Sequence, residues 1–322
     1  METSKLWPVL NYQKSKDTYD TIHRWFQIVG KIKLVKMPWI NHSWHVTFYV
    51  TPRGLSTSVM HDPERSFSLE FDFVDHCLVM NRSDGEPVRI PLRSESGSSF
   101  YERLFRVLDD TGVECSIYGR PNEMMDEIPF TEDKFVRPYD PDAAHDFWLV
   151  LVQADRLMKE FRSGFEGKVS PVHFFWGSMD LAVTRFSGRR APEHPGGFPH
   201  LPDLVTREAY SHEVSSCGFW PGNEMYPEAA FYCYAYPMPK GFERVKVEPF
   251  NAIFNEKLKE YLLPYEAVRK SAAPDEVVMR FFQSTYDAAA DLGKWDRKLV
   301  EECSYLKQIH HLQKPSLNQV RH

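Results

Sequence analysis

The sequence predicts an α+β protein: antiparallel sheets packed by helices, in two closely associated halves, with a helical C-terminus. Three observations predict it. Short runs alternate apolar and polar residues with period two, as half-buried strands do. Longer runs repeat apolar residues every three or four positions, as amphipathic helices do. Turn residues such as Ser83-Asp84-Gly85 and Gly177-Ser178-Met179-Asp180 join strand-like runs into hairpins.

The elements follow in order. Asp17 can cap a first helix, whose apolar positions are Ile22, Trp25, Phe26, Val29 and Ile32; Pro38 ends it. Residues 42–52 read as a strand, with Trp44, Val46, Phe48 and Val50 alternating against His45, Thr47, Tyr49 and Thr51. Runs 67–74 and 77–81 form a hairpin, 88–92 a further strand, 100–108 a helix and 113–118 another strand. The first half, 1–118, is thus a helix plus an antiparallel meander. Residues 119–140 are acidic and rich in proline, and are expected to link the halves.

Asp140-Pro141 opens a strong helix carrying Phe147, Leu151, Ala154, Met158 and Phe161 at helical spacing. Strands are expected at 172–176, 181–186, 207–216 and 230–236, with long connections at 187–206 and 217–229. Helices are expected near 251–262, 275–292 and 296–309, Gly293 stopping the second. This places the second half at 141–310 and a loose tail at 311–322.

Composition bounds the function. A chain of 322 residues supports a large core and suggests about two domains or subdomains. Its 42% hydrophobic and 26% charged residues are a globular balance. A net charge of −6 with no basic stripe argues against a nucleic-acid partner. The five cysteines, 77, 115, 217, 233 and 303, form no CxxC pair, so neither a disulfide framework nor a cysteine-rich zinc site is signalled. The N-terminal residues lack a signal-peptide core, and apolar runs fall far short of the roughly 20 residues that span a bilayer. No membrane association and a cytoplasmic location are therefore expected. No cofactor is named by any motif, and the oligomeric state is left open: GxGxxG, GxxxxGK[ST], GxSxG, HExxH and calcium-loop patterns are all missing.

The chemistry concentrates in residues 170–222. From 169 to 239 there is no lysine, yet Arg185, Arg189, Arg190 and Arg207 persist; arginine's rigid fork suits carboxylates and phosphates. The connection 187–206 carries Arg189, Arg190, His194 and His200 among prolines and glycines. Loops of that length are often functional, although the arginines could equally pair with Glu193, Asp203 or Glu208. In a hairpin turning at 177–180, Trp176 pairs with Leu181 and His173 with Thr184. Alternation then puts His173, Phe175, Ala182, Thr184 and Phe186 on one face, and Arg185 on the other with Val172, Phe174, Trp176, Leu181 and Val183. A histidine in that setting is commonly a hydrogen-bonded core residue, and a buried Arg185 needs an acidic partner or an anionic ligand. Tyr210 and His212 share one strand face, with Glu213 opposite. A metal site would have to gather ligands from separate strands, for example His173 with His212 or Glu213. Tyr232, Tyr234 and Tyr236 alternate along one face, which lines a pocket or lies half covered by helices.

The runs 16–19, 27–32, 38–39, 41–46, 170–178, 180–192, 194–197, 206–216 and 218–222, among them Asn41-His42-Ser43-Trp44-His45-Val46 and His194-Pro195-Gly196-Gly197, resemble a mainly bacterial family known only as a domain of unknown function. The resemblance covers most of the chain from Trp7 to about Trp295 and implies one integrated architecture. It implies no activity, substrate or catalytic residue.

The expected function is a small-molecule enzyme or ligand-binding protein with an arginine- and histidine-lined cleft between the halves, for an anionic or polar ligand. His173 or His212 is the expected proton-transfer group, with Glu213 or Asp180 orienting it. His42, His45, Arg185, Arg189, Arg190, His194, Arg207, Tyr210 and Trp220 are the expected ligand contacts. Two other readings stand beside it: a non-catalytic interaction or assembly protein, and a metal-dependent oxygenase or hydrolase whose three ligands converge.

Overall fold

The helical and alternating runs form most of the expected elements, and the exceptions have local causes. The structure, a computed structural model, describes residues 6–301 apart from 125 and 199. Helix α1 (Tyr12–Lys36) begins earlier than expected, because the Asn11 side chain accepts from the Lys14 N–H at 3.2 Å and caps it. Its positions Ile22, Trp25, Phe26, Val29 and Ile32 are all buried.

A 3₁₀ turn (Asn41–Ser43) follows, then β1 (Tyr49–Val50), β2 (Gly54–Ser56), β3 (Met60–Asp62), β4 (Arg65–Asp72), β5 (Cys77–Arg82), β6 (Gly85–Pro91) and β7 (Glu95–Ser96). The strand expected over 42–52 is therefore mostly a turn. His42 and Ser43 are left-handed, at φ 59° and 57°, and Val46 N–H bonds back to Ser43 O at 3.2 Å, so extended pairing starts only at Phe48. Helix α2 (Gly97–Asp110) matches its apolar pattern. The strand expected at 113–118 is missing; the Glu114 carbonyl instead accepts from Lys36 Nζ at 2.6 Å. Next come β8 (Val136–Arg137) and α3 (Pro141–Ser163), capped by Asp140.

The second half contains β9 (His173–Phe175), β10 (Asp180–Arg190), α4 (Asp203–Ala209), β11 (His212–Trp220), β12 (Ala230–Tyr236), β13 (Ile253–Asn255), β14 (Glu260–Pro264), α5 (Tyr265–Arg269), α6 (Pro274–Leu292) and α7 (Arg297–Val300). Two expectations are corrected here. Residues 207–209 end a helix, the strand starting only at His212. The helix expected near 251–262 is a β-hairpin: Asn255 Oδ1 accepts from the N–H groups of Lys257 and Leu258 at 3.0 and 3.1 Å, an Asx turn that reverses the chain. Of the helix expected at 296–309, α7 is the part that lies within the described residues; the expected tail and Cys303 lie outside them.

The first sheet runs β1-β2-β4-β5-β6, with β3 also on β4; the second runs β13-β14-β12-β11-β10-β9, and both are antiparallel. They meet at one backbone bridge, where Phe48 and Phe174 exchange N–H···O bonds of 2.8 and 2.9 Å. One continuous apolar cluster reaches from Trp7 to Val300 through both halves. Segment 119–140 contributes Phe130 to that cluster and the buried Asp133, which binds Arg24 at 3.1 Å and Arg137 at 2.7 Å. Helices α3 and α6 cover one face of the second sheet. Loops cover the other, which is where the polar chemistry gathers.

Candidate functional site

Strand register decides which side chains share the loop-covered face. In the hairpin, Phe175 pairs with Asp180, Phe174 with Leu181 and His173 with Ala182, two residues away from the expected register. A slip of two keeps every side chain on its expected face. His173, Phe175, Asp180, Ala182, Thr184 and Phe186 therefore lie on the loop side, together with Ser216, Gly218, Trp220, Tyr232, Tyr234, Glu260 and Leu262 from the neighbouring strands.

At the Asp180 end of this face, Tyr232 donates to Asp180 Oδ2 and Ser178 donates to Oδ1. Gly218 makes the first bond feasible: a Cβ there would stand 2.3 Å from the tyrosine Cζ, so only glycine lets the ring lie flat across β11 toward Asp180. Glu123 arrives from segment 119–140 and lies against Gly177, where a Cβ would stand 2.1 Å from its Oε1. Glu260 comes from β14, beside Tyr232 and Tyr234 on the same face. Tyr210 donates to the Tyr234 hydroxyl at 3.1 Å, and Thr184 and Ser216 hydroxyls meet at 2.9 Å. The tyrosine alternation was visible in the sequence; its carboxyl partners were not.

The electrostatics follow from burial beside like charge. Burial pushes the Glu260 carboxyl up to about 8 and Glu123 up to about 7, and the Asp180 charge adds to both. Burial likewise raises Asp180, against the bonds from Ser178 and Tyr232, and holds the Tyr232 and Tyr210 hydroxyls well above the ordinary phenol range. Glu123 and Glu260 nevertheless keep surface in contact with water. Asp180 is buried, Glu260 half-buried and Glu123 exposed, so the three carboxyls step inward from the surface in a shallow recess open on the Glu123 side. Above it, loop 191–202 joins segment 119–128: Asn122 Nδ2 donates to His200 O at 2.7 Å, and His200 pairs with Glu127. Carboxyls held near neutral pKa beside a phenol can give and take protons at physiological pH.

The arginines named by the sequence do not converge on this recess. Arg185, 2% exposed, lies on the helix-covered face, its guanidinium 3.5 Å from the Phe161 ring centroid and 4.4 Å from that of Tyr286, while it donates to Phe161 O. No carboxylate stands within ion-pair distance of it among the described residues: aromatic faces and a carbonyl take the role expected of an acidic partner or anionic ligand. Burial lowers its pKa to about 10. Arg189 binds Glu213 at 2.6 Å and the carbonyls of Gly293 and Lys294, so Glu213 is an ion-pair anchor at the helix side. Arg207 pairs with Glu193 and Asp203 at 3.4 and 3.7 Å.

The histidines divide similarly. His173 has no exposed surface and, among the described residues, no hydrogen-bond partner on either ring nitrogen; Trp44, Tyr49 and Phe175 surround it with ring centroids 5.6–5.8 Å away. Burial lowers its pKa to about 3. His45 accepts from the Ile40 N–H at 3.2 Å and braces the 3₁₀ turn. His194 accepts from Gly196 N–H at 3.0 Å and stacks on Tyr210 at 4.9 Å, pinning loop 191–202 to the sheet. Trp220 stacks on Tyr226 at 6.2 Å, its indole N–H without a partner among the described residues. His42 and His212 do come together, rings 5.9 Å apart, at the far end of the same face beside Arg190.

Two surface clefts lie elsewhere. One of about 200 Å³ is lined by Glu213, Tyr236, Met238, Leu292 and Trp295; another of about 300 Å³ by Trp7, Gln153, Arg156 and Asp275. Neither gathers unpaired polar groups as the recess does, so the recess is the better candidate. Among the described residues no three His, Cys, Asp or Glu side chains are placed to hold a metal ion, and no described helix is long and apolar enough to cross a membrane.

Fold and site together define an α+β protein with a cluster of acids and tyrosines on the loop-covered face of its second sheet. The chain belongs to the family of unknown function DUF5996, whose sequence profile matches residues 7–302. No curated protein and no solved structure matches it.

Proposed function

We propose that the protein is a small-molecule enzyme or ligand-binding protein whose site is the Asp180–Tyr232–Glu123–Glu260 recess. One observation carries this reading: three carboxyls gather around a tyrosine network, and none has a basic ion-pair partner among the described residues. Desolvated carboxyls without a cation take up protons instead, which leaves them as hydrogen-bond donors and acceptors for a polar ligand. Their sign favours a ligand rich in hydroxyls or carrying an amine, so the polar part of the expected ligand class is retained and the anionic part is not. Asp180 and Tyr232 act as the proton-transfer pair, and Glu123 and Glu260 as acids that are partly protonated at neutral pH. A cytoplasmic setting belongs to the same reading, supported by the four described cysteines being free, Cys217 and Cys233 facing each other across β11 and β12 as thiols.

The test is a thermal-shift screen with three ligand sets: sugars and polyols, amines, and carboxylates or phosphates. A polyol or amine is expected to raise Tm, with the rise lost in Asp180→Asn and Glu260→Gln but kept in Arg189→Gln. A response confined to anions and surviving Asp180→Asn would overturn the reading.

A further inference from the structure

At the opposite end of the loop-covered face stands a second constellation, built around a lysine just before the lysine-free stretch. Lys168 Nζ lies 2.7 Å from His42 Nε2. The other ring nitrogen, Nδ1, donates to the Ala209 carbonyl at 3.2 Å, which leaves Nε2 of the neutral ring as the acceptor facing the amine. His42 is held further by its own N–H, which bonds Glu208 Oε1 at 2.8 Å, and its backbone is left-handed at φ 59°. Beneath the amine lie the rings of Phe186 at 4.8 Å and Trp44 at 5.4 Å. Lys168 itself is exposed, and no carboxylate lies within ion-pair distance of it among the described residues. Amine, base and the carbonyl orienting that base thus form the nucleophile–base–orienter arrangement that covalent catalysis uses. Desolvation favours the neutral amine here, with the Glu208 charge opposing it.

The neighbouring strand supplies charge selectivity. Arg190 is the cross-strand partner of His212, whose ring stands 5.9 Å from His42, so both face the lysine side. Arg190 is exposed and makes no ion pair among the described residues.

We propose that Lys168 is a reactive amine that forms a Schiff base with a small aldehyde or ketone bearing a carboxylate or phosphate. The nitrogen lone pair attacks the carbonyl carbon, one N–H proton passes through His42 Nε2 to the oxygen, and the carbinolamine loses water to leave a C=N bond. Nothing is oxidised or reduced, and Arg190 holds the anionic group. This site stands apart from the acid–tyrosine recess and does not depend on the reading of it.

The test is reductive trapping of the full chain with glyoxylate or with propionaldehyde, each with cyanoborohydride, followed by peptide mass spectrometry. Lys168 is expected to be labelled faster than Lys246 and Lys257, which are exposed and make no ion pair among the described residues. His42→Asn suits the left-handed backbone but is too short to reach the amine; it should slow labelling of Lys168 by about 100-fold, the lower range for a positioned base, while labelling of Lys246 and Lys257 and the far-ultraviolet circular dichroism spectrum stay as in wild type. Arg190→Gln should remove the preference for glyoxylate while leaving propionaldehyde labelling intact. Labelling of Lys168 no faster than that of Lys246 and Lys257, or indifference to His42→Asn in a folded variant, would overturn the proposal. Equal wild-type rates with the two aldehydes would overturn the role of Arg190.

Discussion

Two buried polar side chains on opposite faces of the second sheet solve the same problem in opposite ways. Arg185 keeps its charge because three aromatic rings and a carbonyl surround the guanidinium. His173 gives its charge up: enclosed by rings and bonded to nothing, it is neutral in the fold. Replacing a buried group that makes no hydrogen bond by an apolar one of similar size loses little, so His173→Leu is expected to lie within about 1 kcal/mol of wild type at pH 7, or above it. The acid limb tells more. The folded-state pKa of about 3 lies below the ordinary value, so the unfolded chain takes up a proton that the native state refuses. The neutral-ring contribution is complete above the unfolded pKa and is lost as pH falls from about 6.5 toward 3. Urea denaturation at a series of pH values should show that loss in wild type and a flatter curve in His173→Leu. An unchanged slope would place the acid sensitivity elsewhere.

Elements were legible where pattern alone decides them. Helices α3 and α6 and the β4–β5 hairpin follow from spacing and turn residues, and face assignments in the β9–β10 hairpin survived an error of register because the error was even. The candidate site was read less well. Glu260 lay in a stretch expected to be helical, which hid that it shares a sheet face with Tyr232. Glu123 lay in an acidic stretch far in sequence from the Gly177 and Asp180 that it approaches, and Lys168 bordered the informative block without belonging to it. Segment 119–140 shows what composition misses: Asp126, Glu127 and Asp133 are ion-pair partners rather than solubilising charge. Arg24 and Arg137 share Asp126 and Asp133, and the Asp133 side chain is fully buried between them. Removing Asp133 leaves two arginines, Arg24 buried, to share the single and partly exposed Asp126, so Asp133→Ala is expected to cost about 3 kcal/mol, read as a shifted urea midpoint. A loss below about 1 kcal/mol would mean that the network is dispensable.

Across the whole molecule, the continuous cluster from Trp7 to Val300 and the Phe48–Phe174 bridge tie the meander half to the strand-rich half. Cooperativity follows from shared burial, so unfolding is expected as one transition by both tryptophan fluorescence and far-ultraviolet circular dichroism. Two separated midpoints would show that the halves melt independently.

The same bridge has a bearing on how the protein meets other chains. A strand at a sheet margin carries unused backbone groups that can recruit a foreign strand. At β9 that margin is occupied by Phe48, which seals one side of the second sheet with the molecule's own backbone. Its far margin, β13, is three residues long, and β6 on the first sheet carries Pro87 and Pro91, which withhold N–H groups. A chain with two six-stranded sheets thus offers little continuous backbone on which an amyloid-like stack could begin.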